Sequence, residues 1–189
     1  MDFIKKHVKP ILLLVAALIF LSWYVLKKES DYFTHLNRIT KKYIHKMEKE
    51  YGLSCFSIGG SVAVNIKEVS LKFTCCEQKS IEEARVLELA CIEQLREMIN
   101  SNEKIRLHLE EYPFTNERVE IMIRFREKSL KNFPPENSIS RVTSCKGKLF
   151  YDNVFNDHRP DQTVLEETFT EAYEKADRLS IEQAKRGWK

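Results

Sequence analysis

Between Pro10 and Lys27 the chain carries no charged residue, and Ile11 to Leu21 is apolar without a break. Trp23 and Tyr24 follow, then Lys27 and Lys28. Such a run predicts a single transmembrane helix over residues 11–26, with residues 1–10 as a basic tail. Trp23, Tyr24, Lys27 and Lys28 are the expected membrane-interface residues, aromatic rings at the headgroup level and lysines beyond them. Sixteen residues at about 1.5 Å each reach roughly 24 Å, against a hydrocarbon core of about 30 Å. The expectation therefore leans on lysine side chains extending to the interface. A cleaved signal peptide would need small residues after the apolar core, and Ser22-Trp23-Tyr24-Val25-Leu26 lacks them. Lys5, Lys6 and Lys9 favour a cytoplasmic N-terminus and an exported domain, while Lys27, Lys28, Arg38, Lys41 and Lys42 pull the other way.

Residues 30–189 predict one soluble domain. Tyr32, Leu36, Ile39, Tyr43, Met47 and Tyr51 step by three and four, with Phe33 and Ile44 beside them. That stripe predicts an amphipathic helix capped by Ser30 or Asp31 and stopped by Gly52. The stripe could pack on the domain or pair with a second copy. Leu53 to Ile58 reads as a strand that Gly59 and Gly60 break. From Ile66 to Cys76, Val69, Leu71, Phe73 and Cys75 alternate with Glu68, Ser70, Lys72 and Thr74, the mark of a half-buried strand. Ser80 and Glu83 form a capping box for a helix lined by Ala84, Leu87, Cys91, Leu95 and Met98. A short helix over 102–109 and the turn Tyr112-Pro113-Phe114-Thr115 lead to a second alternating strand. There Val119, Ile121, Ile123 and Phe125 point in, and Glu120, Met122, Arg124 and Arg126 point out. Ile139–Cys145 and Lys148–Val154 form a hairpin around Lys146-Gly147. Thr163 with Glu166 predicts the start of the last helix. The expected fold class is α+β: a mostly antiparallel sheet of about five strands, covered on one face by helices and preceded by the transmembrane helix.

The net charge of +3 changes little: Lys5, Lys6 and Lys9 against Asp2 supply +2 of it, leaving 28 basic and 27 acidic residues. A balanced domain gives no support to nucleic-acid binding, so no nucleic-acid partner is expected. Five cysteines, Cys55, Cys75, Cys76, Cys91 and Cys145, include no CxxC pair. The five histidines make no HExxH or HxxxH pattern, and P-loop, GxGxxG and GxSxG motifs are missing. No catalytic, cofactor or metal residues are assigned, and no cofactor is expected. One surface invites a partner. Tyr112 and Phe114 would anchor one if exposed, although Phe114 could equally plug the core. Arg124 and Arg126, on the outward face of their strand, would extend that surface.

Gly59-Gly60-Ser61, Ile66-Lys67-Glu68-Val69-Ser70-Leu71-Lys72-Phe73, Tyr112-Pro113-Phe114-Thr115, Gly147-Lys148-Leu149 and Glu166-Glu167-Thr168-Phe169 with Glu171-Ala172 together resemble a family of uncharacterised, N-terminally membrane-anchored proteins of bacteria that live inside host cells. The resemblance covers residues 50 to 180 and implies a bacterial envelope setting, without catalytic residues to carry over. The functional expectation is a membrane-tethered, non-enzymatic binding or assembly module of that envelope. Its partners would be the lipid bilayer through residues 11–26 and a protein or a second copy. The alternative is a cysteine-dependent enzyme using Cys55 or Cys76 with His108 or His158.

Overall fold

Period-two alternation decides the sheet. In β2 (Glu68–Cys75) and β3 (Val119–Phe125) every second residue is buried, and the intervening polar residues are only partly covered. A strand with one apolar face must lay that face on another layer. Here the layer is helical. The computed structural model describes the backbone of residues 2–62, 65–134, 138–155 and 160–186, with side chains in the first helix given for residues 15–22 and from 32 onward.

The elements run α1 (Asp2–Tyr51), β1 (Ser54–Ser61), β2, α2 (Ile81–Asn100), α3 (Glu103–Arg106), β3, β4 (Arg141–Cys145), β5 (Lys148–Asn153), β6 (Gln162–Thr168), α4 (Phe169–Lys175) and α5 (Arg178–Ala184). A 3-10 turn, Asn116–Arg118, leads into β3. The six strands lie in sequence order. Neighbours are antiparallel except β2 and β3, which run parallel because α2 crosses between them. The sheet thus has six strands where about five were expected. The α+β class and the single helical layer agree with the sequence reading.

The extra strand comes from the C-terminal segment. Gln162–Thr168 pairs with β5, so the helix expected from Thr163 begins only at Phe169. Thr168 caps it, accepting from the Glu171 amide while the Glu171 carboxylate accepts from the Thr168 amide. Two matches to the capping-box pattern lie five residues apart, and the partner strand selects the second. Gly59 and Gly60 also do not break β1, which runs through them to Ser61. Gly60 has φ +144°, and a Cβ there would lie 2.3 Å from the Glu68 carbonyl oxygen. Glycine therefore lets β1 approach β2 closely at this point.

The core lies between the covered face and the helices. Tyr32, Leu36, Ile39, Tyr43, Met47 and Tyr51 of α1 are buried, as the stripe predicts, while Phe33 stays exposed. Gly52, at φ +65°, ends the helix, its N–H donating to the Glu48 carbonyl. Tyr43 donates to the Cys91 carbonyl of α2 at 2.9 Å, and Tyr51 to the Ala184 carbonyl of α5 at 2.5 Å. These bonds tie α1 to α2 and to α5.

The N-terminal expectation is corrected. Helix α1 is continuous over 50 residues, so Ser30 and Asp31 lie inside it and not at its start. Among the described residues no helix is long and apolar enough to cross a membrane. The transmembrane helix over 11–26, the single-pass anchor, the bilayer as partner and the membrane location with an exported domain are therefore withdrawn. The side chains of Trp23, Tyr24, Lys27 and Lys28 lie outside those described. Val15, Leu18, Ile19, Phe20 and Leu21 are 48 to 68% exposed.

Candidate functional site

The four residues expected to face a partner divide into two places. Tyr112 and Phe114 precede β3, and Arg124 and Arg126 stand at its far end. Tyr112 is half exposed, with the Arg106 guanidinium 4.6 Å from its ring centre. Phe114 is 1% exposed, so it is a core residue and no anchor. Asn100 at the end of α2 holds it there, donating to the Phe114 carbonyl at 2.9 Å and accepting from its amide at 2.7 Å. Burial of Phe114 dissolves the aromatic pair that Tyr112-Pro113-Phe114 suggested.

Arg124 and Arg126 belong to the helix-free face of the sheet. Strand register builds this face in rows. Ser70 with Glu120, Lys72 with Met122, and Thr74 with Arg124 are neighbours across β2 and β3. Thr143 continues the Met122 row on β4 and Phe150 continues it on β5, while Arg141 and Asp152 continue the Arg124 row. A bulge between Cys55 and Ser57 leaves Phe56 as the extra residue of β1. Its exposed ring lies 5.1 Å from the Arg124 guanidinium.

Arginines gather at one end of this face and the Glu68–Glu120 pair at the other. At the C-terminal end of β3, Arg124 has no carboxylate in ion-pair range among the described residues. Burial lowers its pKa from the usual arginine value, and Arg126 and Arg141 lower it further against the opposing pull of Asp161. The Nε of Arg126 is buried without a hydrogen-bond partner among the described residues. Arg141 is already neutralised, by Asp152 at 2.8 Å and Asp161 at 3.0 Å. At the other end Glu68 and Glu120 stand together on adjacent strands. Burial raises the Glu120 carboxyl above the usual range and Glu68 raises it further, while Lys72 and Ser70 oppose the shift. Each end therefore holds like charges in partial desolvation, which an opposite charge arriving from outside would relieve.

Two other ionic clusters find their partners within the fold. Glu167 of β6, 2% exposed, accepts from Arg85 Nε at 2.6 Å and Nη2 at 3.2 Å. Tyr151 donates to it at 2.5 Å and Lys175 at 2.9 Å. Burial alone would raise the Glu167 carboxyl, yet these three donors hold it below the ordinary range. A cavity of about 290 Å³ between α2, α4 and α5 is lined by Glu93, Arg96, Tyr173 and Glu182. Lys185 lies 3.2 Å from Glu93, 2.6 Å from Glu97 and 3.4 Å from Glu182, so these carboxylates already share a cation.

The cysteine-dependent reading is also withdrawn. Cys75 and Cys91 are buried, and burial raises the thiols of Cys55, Cys75 and Cys91 away from the reactive thiolate. His108 stacks on Tyr32, ring centres 4.6 Å apart, and its carbonyl accepts from the Ile66 amide. His158 lies outside the described residues. No cysteine is paired with a histidine among the described residues, and no group of three or more His, Cys, Asp or Glu there could hold a metal ion.

Sequence reasoning placed Glu120 outward with Arg124 and Arg126, but missed Phe56 and did not bring Glu68 beside Glu120. Alternation marked both glutamates as outward. Their pairing needed the parallel β2–β3 register, which α2 hides in the sequence. The chain matches no family model, no curated protein and no solved structure. The resemblance to the membrane-anchored family therefore carries no assignment, and with the spanning helix goes the membrane-tethered envelope module built on it.

Proposed function

We propose that this chain is a recognition module whose helix-free sheet face binds an acidic segment of a protein partner, with Arg124 at the centre of the contact. The supporting observation is that Arg124 combines partial burial, like-charged neighbours and the exposed Phe56 ring with no carboxylate in ion-pair range among the described residues. An incoming carboxylate offsets the desolvation of the guanidinium and can take two of its hydrogen bonds in parallel. The strand beneath sets the position of the group, beside the Phe56 ring. Arg126 adds a second cation on the same side.

The test uses the full chain and a fluorescent hexaglutamate peptide, with anisotropy as the readout. Binding is expected to weaken as salt rises, and Arg124→Ala is expected to lower affinity about tenfold or more. Equal affinity of Arg124→Ala and wild type would overturn the assignment.

A further inference from the structure

We infer that the acidic partner of the Arg124 end is the Glu68–Glu120 end of a second copy of this chain, so that two helix-free faces pack together as a symmetric pair. This inference rests on the recognition reading above and names its partner. The face carries its own complement. Arg124 and Glu120 lie on one strand, four residues apart, a separation of about 13 Å. Midway between them is Met122, level with Lys72. A two-fold axis passing over that row, parallel to the sheet, perpendicular to the strands and midway between the two faces, exchanges the two ends. Arg124 of each copy then stands over Glu120 of the other, while Met122 meets Met122 of the second copy at the centre. The contact is self-complementary, as a closed dimer requires.

The geometry suits the groups. Face-packed sheets lie about 10 Å apart with strands nearly aligned, a gap that an arginine and a glutamate can span between them. Both ends gain an opposite charge, which offsets the desolvation that chiefly shifts Arg124 and Glu120 and the like-charge repulsion that adds to it. Lys72 approaches its own copy near the axis, and its long stem can turn from that like charge towards solvent. Six strands, seven residues deep, form a plate of roughly 24 by 23 Å, about 550 Å² before side-chain relief is counted. That is of the order of the roughly 800 Å² per partner in a stable interface.

Charge reversal tests the pairing on the full chain. Wild type should sediment as a dimer at micromolar concentration. Arg124→Glu and Glu120→Arg, each alone, should weaken the dimer about a hundredfold, because each places two like-charged contacts in the interface. An equimolar mixture of the two variants should form the dimer again, since every contact is then between opposite charges. Recovery in the mixture also shows that both variants are folded. Wild type that stays monomeric at about 100 µM, where weak complexes with Kd up to that order are half formed, overturns the pairing. A dimer indifferent to both reversals overturns it equally, and places association elsewhere, for example at the exposed Val15–Leu21 stretch. Hexaglutamate binding that depends on Arg124 in a monomeric chain would sink the pairing and keep the recognition reading. Loss of peptide binding together with an indifferent dimer would sink both.

Discussion

Replacing Glu167 by glutamine should be among the most damaging conservative changes in this fold. The carboxylate is 2% exposed and takes four contacts: Nε and Nη2 of Arg85, the Tyr151 hydroxyl and Nζ of Lys175. Glutamine is almost the same size. It keeps one acceptor oxygen and turns an NH2 group toward donors, leaving Arg85, itself 6% exposed, as an uncompensated buried charge. Breaking a buried pair in this way costs about 3–5 kcal/mol, a large share of the roughly 5–15 kcal/mol that holds a domain together. Urea unfolding of wild type and Glu167→Gln at about pH 7 reads the difference directly. The pH dependence gives a second readout. The Glu167 carboxyl is held below its unfolded value. Its contribution is therefore complete above the ordinary glutamate range and is lost as pH falls through the native value. The two proteins should converge in acid. Replacing both Arg85 and Glu167 by methionine should recover part of the loss, because no bare charge remains. A difference under about 1 kcal/mol near neutrality, as for an exposed pair, would refute the reasoning, as would a gap that does not narrow in acid.

Glu88 carries the opposite sign. It is fully buried, its Oε1 accepts from the Ser144 amide at 3.1 Å, and its Oε2 has no partner among the described residues. Burial raises its carboxyl well above the usual value, and the Ser144 hydrogen bonds pull only partly against that. The stability it contributes is present below the unfolded pKa and falls away as pH rises through the folded one, so wild type should lose stability relative to Glu88→Gln as pH rises above the ordinary glutamate range; parallel unfolding profiles would contradict this. At the β1–β2 contact, Gly60→Ala should lower stability by about 1–3 kcal/mol, because the φ is +144° and the new Cβ would meet backbone at 2.3 Å. Gly59→Ala, whose Cβ would find Ser70 Cβ at an ordinary 3.8 Å, should be nearly neutral in the same thermal unfolding assay. Equal effects at both glycines would show that the close approach is not what matters.

Local chemistry settled what reaches only a few residues along the chain. Alternation in Glu68–Cys75 and Val119–Phe125 determined which side chains are covered, since a strand exposes opposite faces at successive residues. Ser80 with Glu83 marked the start of α2, and the Tyr32-to-Tyr51 stripe marked the buried side of α1. The sequence reading went astray where the deciding partner is distant. Thr163 with Glu166 and Thr168 with Glu171 are equal as capping signals, and the hydrogen bonds of Gln162–Thr168 to β5 chose between them. The apolar run at 11–26 looked like an anchor, while the structure carries it into one continuous helix whose later turns are fastened to α2 and α5. Arg85 and Glu167 meet across 82 positions. The parallel register of β2 and β3 set Glu68 beside Glu120 and Thr74 beside Arg124. The sequence by itself determined each residue's side of the sheet, because side-chain direction follows from the local backbone. Which charges share an end of that side was decided only by tertiary structure, because strand pairing joins segments that no short-range pattern connects.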